Sequence, residues 1–71
     1  MNDRERIGKM IAEIRTGNGL TIRELADIAG VTSTNICNIE NGKYSAGVDV
    51  LSRILSALGY RLTIEKIEKV G

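Results

Sequence analysis

The chain is 71 residues long, enough for a single domain that buries only about 60% of the surface its unfolded form exposes, so its stability is modest or shared. It contains no Phe, Trp, Pro or His, two Tyr and a single Cys, which excludes an aromatic core, an internal disulfide and the His- or thiolate-rich sets used by metal sites and most catalysis. Ten basic residues against nine acidic leave a net charge of +1; this is a weak field for neutralising phosphates, so any contact with a polyanion depends on how the charges are distributed.

The first helix is predicted from about Asp3 to Thr16, where Ile7, Met10, Ile11 and Ile14 recur at helical spacing and define one apolar stripe. It stops at Gly17-Asn18-Gly19. That glycine pair reads as a helix C-cap and not as a phosphate loop, since no third glycine follows and no strand precedes it. The opening Asn2-Asp3-Arg4-Glu5-Arg6 is not a secretion signal, and no apolar run approaches the roughly 18 residues that span a bilayer. With a lone thiol at Cys37, these features predict a cytoplasmic protein with no membrane partner.

Two short capped helices around a glycine turn are predicted between Leu20 and Lys43. Thr21 is an N-cap candidate for the first, spanning about 21 to 29, and Glu24 three residues on can complete a capping box. Leu25, Ala26 and Ala29 form its apolar face. Gly30 occupies the reversal because glycine alone enters the left-handed region without a steric penalty. Thr32 caps the next helix, about 33 to 40, which turns Ile36 and Ile39 inward. Helices joined by so short a turn bring their backbones close, which the small Ala26 permits. Cys37 reads as a passive small residue on the second of these helices.

This segment resembles the helix-turn-helix of the lambda-repressor and Cro type, in which a small residue, a glycine and an aliphatic residue stand at the relative spacings of Ala26, Gly30 and Ile36. Leu25, Val31 and Ile39 match as well, and Ile39-Glu40-Asn41-Gly42-Lys43 resembles the segment that leads from the third helix toward the DNA backbone. The resemblance covers about residues 7 to 59. It implies an all-α, compact four-helix domain over residues 1–59 whose third helix enters the major groove of double-stranded DNA.

A fourth helix is predicted from about 48 to 58, with Val48, Leu51, Ile54, Leu55 and Leu58 on its apolar face and Gly59 as its stop. In the remaining tail, 60–71, Tyr60, Leu62 and Ile64 alternate with Arg61, Thr63 and Glu65, the period of a half-buried strand. Tyr60, Ile64 and Ile67 also fit a helical spacing, but Gly59 and the β-branched Thr63 and Ile64 favour the strand. A single strand needs a partner for its backbone groups. The simplest one is the same strand of a twin subunit across a two-fold axis, so the tail predicts a homodimer with Tyr60, Leu62 and Ile64 at the interface.

By resemblance, Ser33, Thr34 and Asn38 occupy the positions that reach base edges. Asn38 suits bidentate pairing to adenine, and the two short hydroxyl side chains suit several bases or a thymine methyl. Arg23, Thr32, Asn35, Asn41, Lys43 and Tyr44 are the candidate phosphate contacts, beside the free amides at the starts of helices two and three. Arg23 and Lys43 have a second reading, as surface charges paired with Asp27 or Glu40. Where the family often carries a phosphate-anchoring Gln, at the start of helix two, this chain has Ile22.

Neither a metal nor a cofactor is implied, and the expected function is a dimeric repressor reading a palindrome with half-sites about 34 Å apart. A chain this short has no room for a sensor domain, so its regulation is expected from a partner. The passage Leu58-Gly59-Tyr60-Arg61-Leu62 from helix to strand is similar to that of hip-type antitoxins, a resemblance that implies a toxin protein as partner and an autoregulated operon. The alternative, which Ile22 and the low net charge favour, is a protein-interaction module on the same scaffold with little DNA affinity.

Overall fold

In the computed structural model, which describes residues 2–68, the chain forms α1 (Asp3–Gly17), α2 (Ile22–Ala29), α3 (Ser33–Glu40) and α4 (Val48–Ala57). Side chains start the first three. Asn2 accepts from the Glu5 amide at 2.8 Å and Thr32 from the Asn35 amide at 3.1 Å. The Thr21 hydroxyl accepts from the Glu24 amide at 3.0 Å, and the Glu24 carboxylate accepts from the Thr21 amide at 2.9 Å. This is the capping box expected from the sequence, and it satisfies two amides that a helix start otherwise leaves open. Gly30 ends α2 at φ 71°, in the left-handed region.

The core is aliphatic: Ile11 of α1, Leu25, Ala26 and Ala29 of α2, Ile36 and Ile39 of α3, Ile54 of α4 and Leu58 just beyond it. α3 packs on both α1 and α2, and α4 packs on α2. Two positions depart from the predicted apolar faces. Met10 is 48% exposed and Val48 75% exposed, because each lies at the rim of its helix stripe, where the neighbouring helix no longer covers it.

Two tertiary devices place α3. Gly8 is buried where α1 crosses the end of α3, and a Cβ built there would collide with the Ile39 carbonyl oxygen and stand 3.2 Å from that of Glu40. Only glycine permits that approach. Arg15, in the last turn of α1, donates from Nε to Glu40 Oε2 at 2.7 Å, from Nη2 to Oε1 at 3.0 Å and from Nη1 to the Leu20 carbonyl at 2.8 Å. This two-pronged pair has side-chain exposures of 13% and 8%. It clamps the C-terminus of α3 to α1 and to the loop before α2. The bond to Glu40 is the main cause that raises the Arg15 pKa above its ordinary value.

The tail from Tyr60 to Glu68 is neither helical nor paired as a strand. The Tyr60 amide still closes the end of α4 by donating to the Leu55 carbonyl at 2.8 Å. Beyond it, among the described residues, no backbone amide of 61–68 donates within the chain. The helical alternative for this stretch is therefore not adopted, and its hydrogen-bonding edge is open. Residues 69–71 of the predicted tail lie outside the described residues.

Candidate nucleic-acid interface

Burial of Ile36 and Ile39 fixes the rotation of α3. At 100° per residue the opposite side carries Thr34, Cys37, Asn38 and, at the C-cap, Asn41, with Ser33 at its edge. Ser33 and Thr34 are exposed in the first turn, and Asn38 is half-buried one turn further along. Of the predicted base-reading residues, Thr34 and Asn38 thus share one outward face and Ser33 borders it. Asn35 is half-buried on the flank.

Cys37 was not expected there. Its side chain is exposed on the same face, with Sγ accepting from the side-chain Nδ2 of Asn41 at 3.5 Å. The signal that would have found it was the helical period itself, since Cys37 lies three residues from Thr34 and four from Asn41.

The phosphate candidates fall into two groups. At the start of α3, the Thr32 hydroxyl is engaged by the Asn35 amide, while the Ser33 and Thr34 amides have no partner among the described residues. Past its end, Asn41, Lys43 and Tyr44 are exposed around Gly42, whose φ of 70° turns the chain out of the helix. Tyr44 and Ser45 line a small crevice with Arg4 of α1. Lys43 forms no ion pair among the described residues, and Glu40, one of the acids its second reading offered, is held by Arg15. Arg23 is likewise exposed and unpaired among them.

The start of α2 has the capping box and the open amides expected from the sequence. Its capping box uses the Thr21 and Glu24 amides and leaves those of Ile22 and Arg23 open. Ile22 turns inward and packs against the core, so it contributes only its backbone. The two bonds to Thr21, the backbone one first, lower the Glu24 pKa. An ionised carboxylate therefore sits beside those amides and opposes a phosphate that Arg23 would attract.

Tyr60, Leu62 and Ile64 stand elsewhere. Tyr60 and Leu62 line a groove with Ile7, Met10, Leu51 and Leu55 of α1 and α4, whereas Ile64 is 99% exposed. Among the described residues no helix is long and apolar enough to cross a membrane, and no group of three or more His, Cys, Asp or Glu is placed to hold a metal ion.

Residues 11–69 match the helix-turn-helix family HTH_3. The chain is 36% identical over 56 residues to the HTH-type transcriptional regulator PuuR of Escherichia coli, an alignment covering 79% of this chain and 30% of that protein, so the chain spans under a third of that relative's length. It is 44% identical over 50 residues to an uncharacterised HTH-type transcriptional regulator of Methanothermobacter thermautotrophicus, covering 70% of this chain and 72% of the relative. In fold it is similar to a chain of the HipA-HipB-O2-O3 complex, with a TM-score of 0.81, 24% identity and 96% of each chain covered. The inward Ile36 and Ile39, the left-handed Gly30 and the polar outer face of α3 accordingly have their counterpart in sequence: the chain belongs to the lambda-repressor and Cro type of helix-turn-helix family, a family of transcriptional regulators.

Proposed function

We propose that the chain binds a palindromic DNA operator as a homodimer and represses transcription from it. The observation that carries this reading is the outer face of α3, where Ser33, Thr34 and Asn38 stand together on a helix fixed by Arg15, Glu40 and Gly8. A rigid helix presenting short polar groups can enter the major groove, with Asn38 pairing to adenine and the hydroxyls supplementing it. The open amides of Ser33 and Thr34, with Arg23, Thr32, Asn35, Asn41, Lys43 and Tyr44, position it on the phosphates. The dimer forms through the tail, where Tyr60, Leu62 and Ile64 are exposed next to an open backbone edge. An antitoxin role, with a toxin protein as second partner, extends this reading; it rests on the tail passage noted above, and the HipA-HipB likeness is one of fold. Cytoplasmic location follows from the DNA target.

The test is fluorescence anisotropy with DNA from upstream of the chain's own gene against a shuffled duplex of equal composition, at low and moderate salt. A repressor binds the upstream DNA preferentially, with log affinity falling by about 0.9 per phosphate contact for each unit of log salt. Absence of binding even at low salt refutes it. That outcome favours the second reading, a protein-interaction module, which is supported by the inward Ile22 and by the Glu24 carboxylate at a phosphate-anchoring position.

A further inference from the structure

The open edge of the tail carries a charge pattern that selects how two copies pair. Resting on the tail-paired homodimer proposed above, we infer that the two tails form an antiparallel ribbon centred on Thr63, which places Arg61 of each copy opposite Glu65 of the partner subunit. Gly59, at φ 88°, cannot belong to a strand, so the ribbon begins at Tyr60. In an antiparallel pair the two-fold axis stands perpendicular to the sheet, and facing residues must share a side of it. The axis therefore passes through a residue facing its own copy, and the registers are few.

Centres at Arg61, Glu65 or Lys66 set a like charge against itself and are disfavoured. A centre at Leu62 faces Arg61 with Thr63 and leaves only Tyr60 to Ile64 in the ladder. A centre at Ile64 faces Leu62 with Lys66 and Thr63 with Glu65, mixing apolar and charged groups. The Thr63 centre alone resolves every conflict over Tyr60 to Lys66. On one side it forms Arg61–Glu65 twice, by symmetry, around a Thr63–Thr63 pair. On the other it forms Leu62–Ile64 twice, flanked by Tyr60 against the stem of Lys66. Tyr60 and Leu62 line the groove of α1 and α4 together with Arg61, Thr63 and Glu65, so the groove follows the tail and the register rests on the charge and apolar pairing alone.

Charge reversal reads this out in the intact chain. Arg61→Glu and Glu65→Arg each turn two attractive pairs into two repulsive ones and weaken the dimer roughly 10- to 30-fold, in sedimentation equilibrium. The double variant R61E/E65R recovers the original affinity. An equimolar mixture of the single variants forms heterodimers above the statistical fraction, seen by native mass spectrometry. In a Cys37→Ser background, Thr63→Cys crosslinks under mild oxidation, since facing Cα atoms lie about 4.5–5.5 Å apart, within disulfide range. Leu62→Cys and Ile64→Cys do not, because each faces a different residue. A dimer indifferent to the reversals, or crosslinking at 62 or 64 instead of 63, overturns the register and leaves the tail-paired dimer standing. A chain that is monomeric throughout, or still dimeric when cut after Gly59, overturns both.

Discussion

Glu40→Ala tests whether the clamp on α3 carries the domain. The substitution removes two charge-assisted bonds of 2.7 and 3.0 Å and leaves the Arg15 guanidinium, 13% exposed, with only the Leu20 carbonyl. Exposed ion pairs contribute about 0 to 1 kcal/mol, whereas breaking a fully buried one costs about 3 to 5. A largely covered pair with one compensating bond falls between, at about 2 to 3 kcal/mol. At about 4 to 8 °C per kcal/mol for a domain of this size, the melting temperature falls by roughly 10 to 20 °C. Thermal and urea unfolding followed by circular dichroism are the suitable assays, as the chain has no Trp. A cycle with Arg15→Ala separates the pair from the separate losses of packing, and its coupling energy is expected to be about 1.5 kcal/mol or more. A coupling below about 0.5 kcal/mol would refute the claim that this pair holds α3, and would reclassify it as an ordinary surface bridge.

Gly8→Ala gains about 1 kcal/mol of helix propensity but drives a methyl into the Ile39 carbonyl, so a net loss of about 2 kcal/mol is expected in urea unfolding; a neutral or stabilised variant would show that α1 and α3 separate easily. Asn38→Ala is expected to cost about 1 to 3 kcal/mol on the preferred operator and little on random DNA, measured by anisotropy, and equal losses on both would remove it as a base reader. Lys43→Ala should weaken all sequences alike and lower the salt slope by about one; an unchanged slope would mean that it touches no phosphate. The Glu24 carboxylate, its pKa lowered in the fold by its bonds to Thr21, stabilises α2 above its ordinary value of 4.5, and this contribution is lost as pH falls through the folded pKa. The stability gap between the wild-type chain and Glu24→Ala should accordingly narrow as the solution is acidified below 4.5, and a gap independent of pH would mean that ionisation of the Glu24 carboxylate adds nothing to the cap.

Local chemistry was legible in the sequence because its causes lie within a few residues of their effects. Thr21 with Glu24, Thr32, and Gly30 each act within one turn of backbone, so spacing alone located α2, the reversal and α3. The inward positions of Leu25, Ala26, Ile36 and Ile39 followed from the helical period, and the outward face of α3 from the same period read in reverse. Tertiary structure decided the rest. Gly8 stands in the middle of a helix with nothing local to require it, and only the crossing of α1 over Ile39 explains it. From sequence, Glu40 is only one of two acids, with Asp27, that Arg23 or Lys43 could pair with at the surface, yet Arg15, remote in sequence, takes it because the fold brings two helix ends together in a place largely closed to water. The tail shows the division most sharply: its alternation reads as a strand from sequence, but pairing is a relation between segments, and a lone chain supplies no second edge to Arg61, Thr63 and Glu65. Short-range patterns specify elements, whereas close approach, charge pairing and strand register depend on which distant surfaces the core brings into contact.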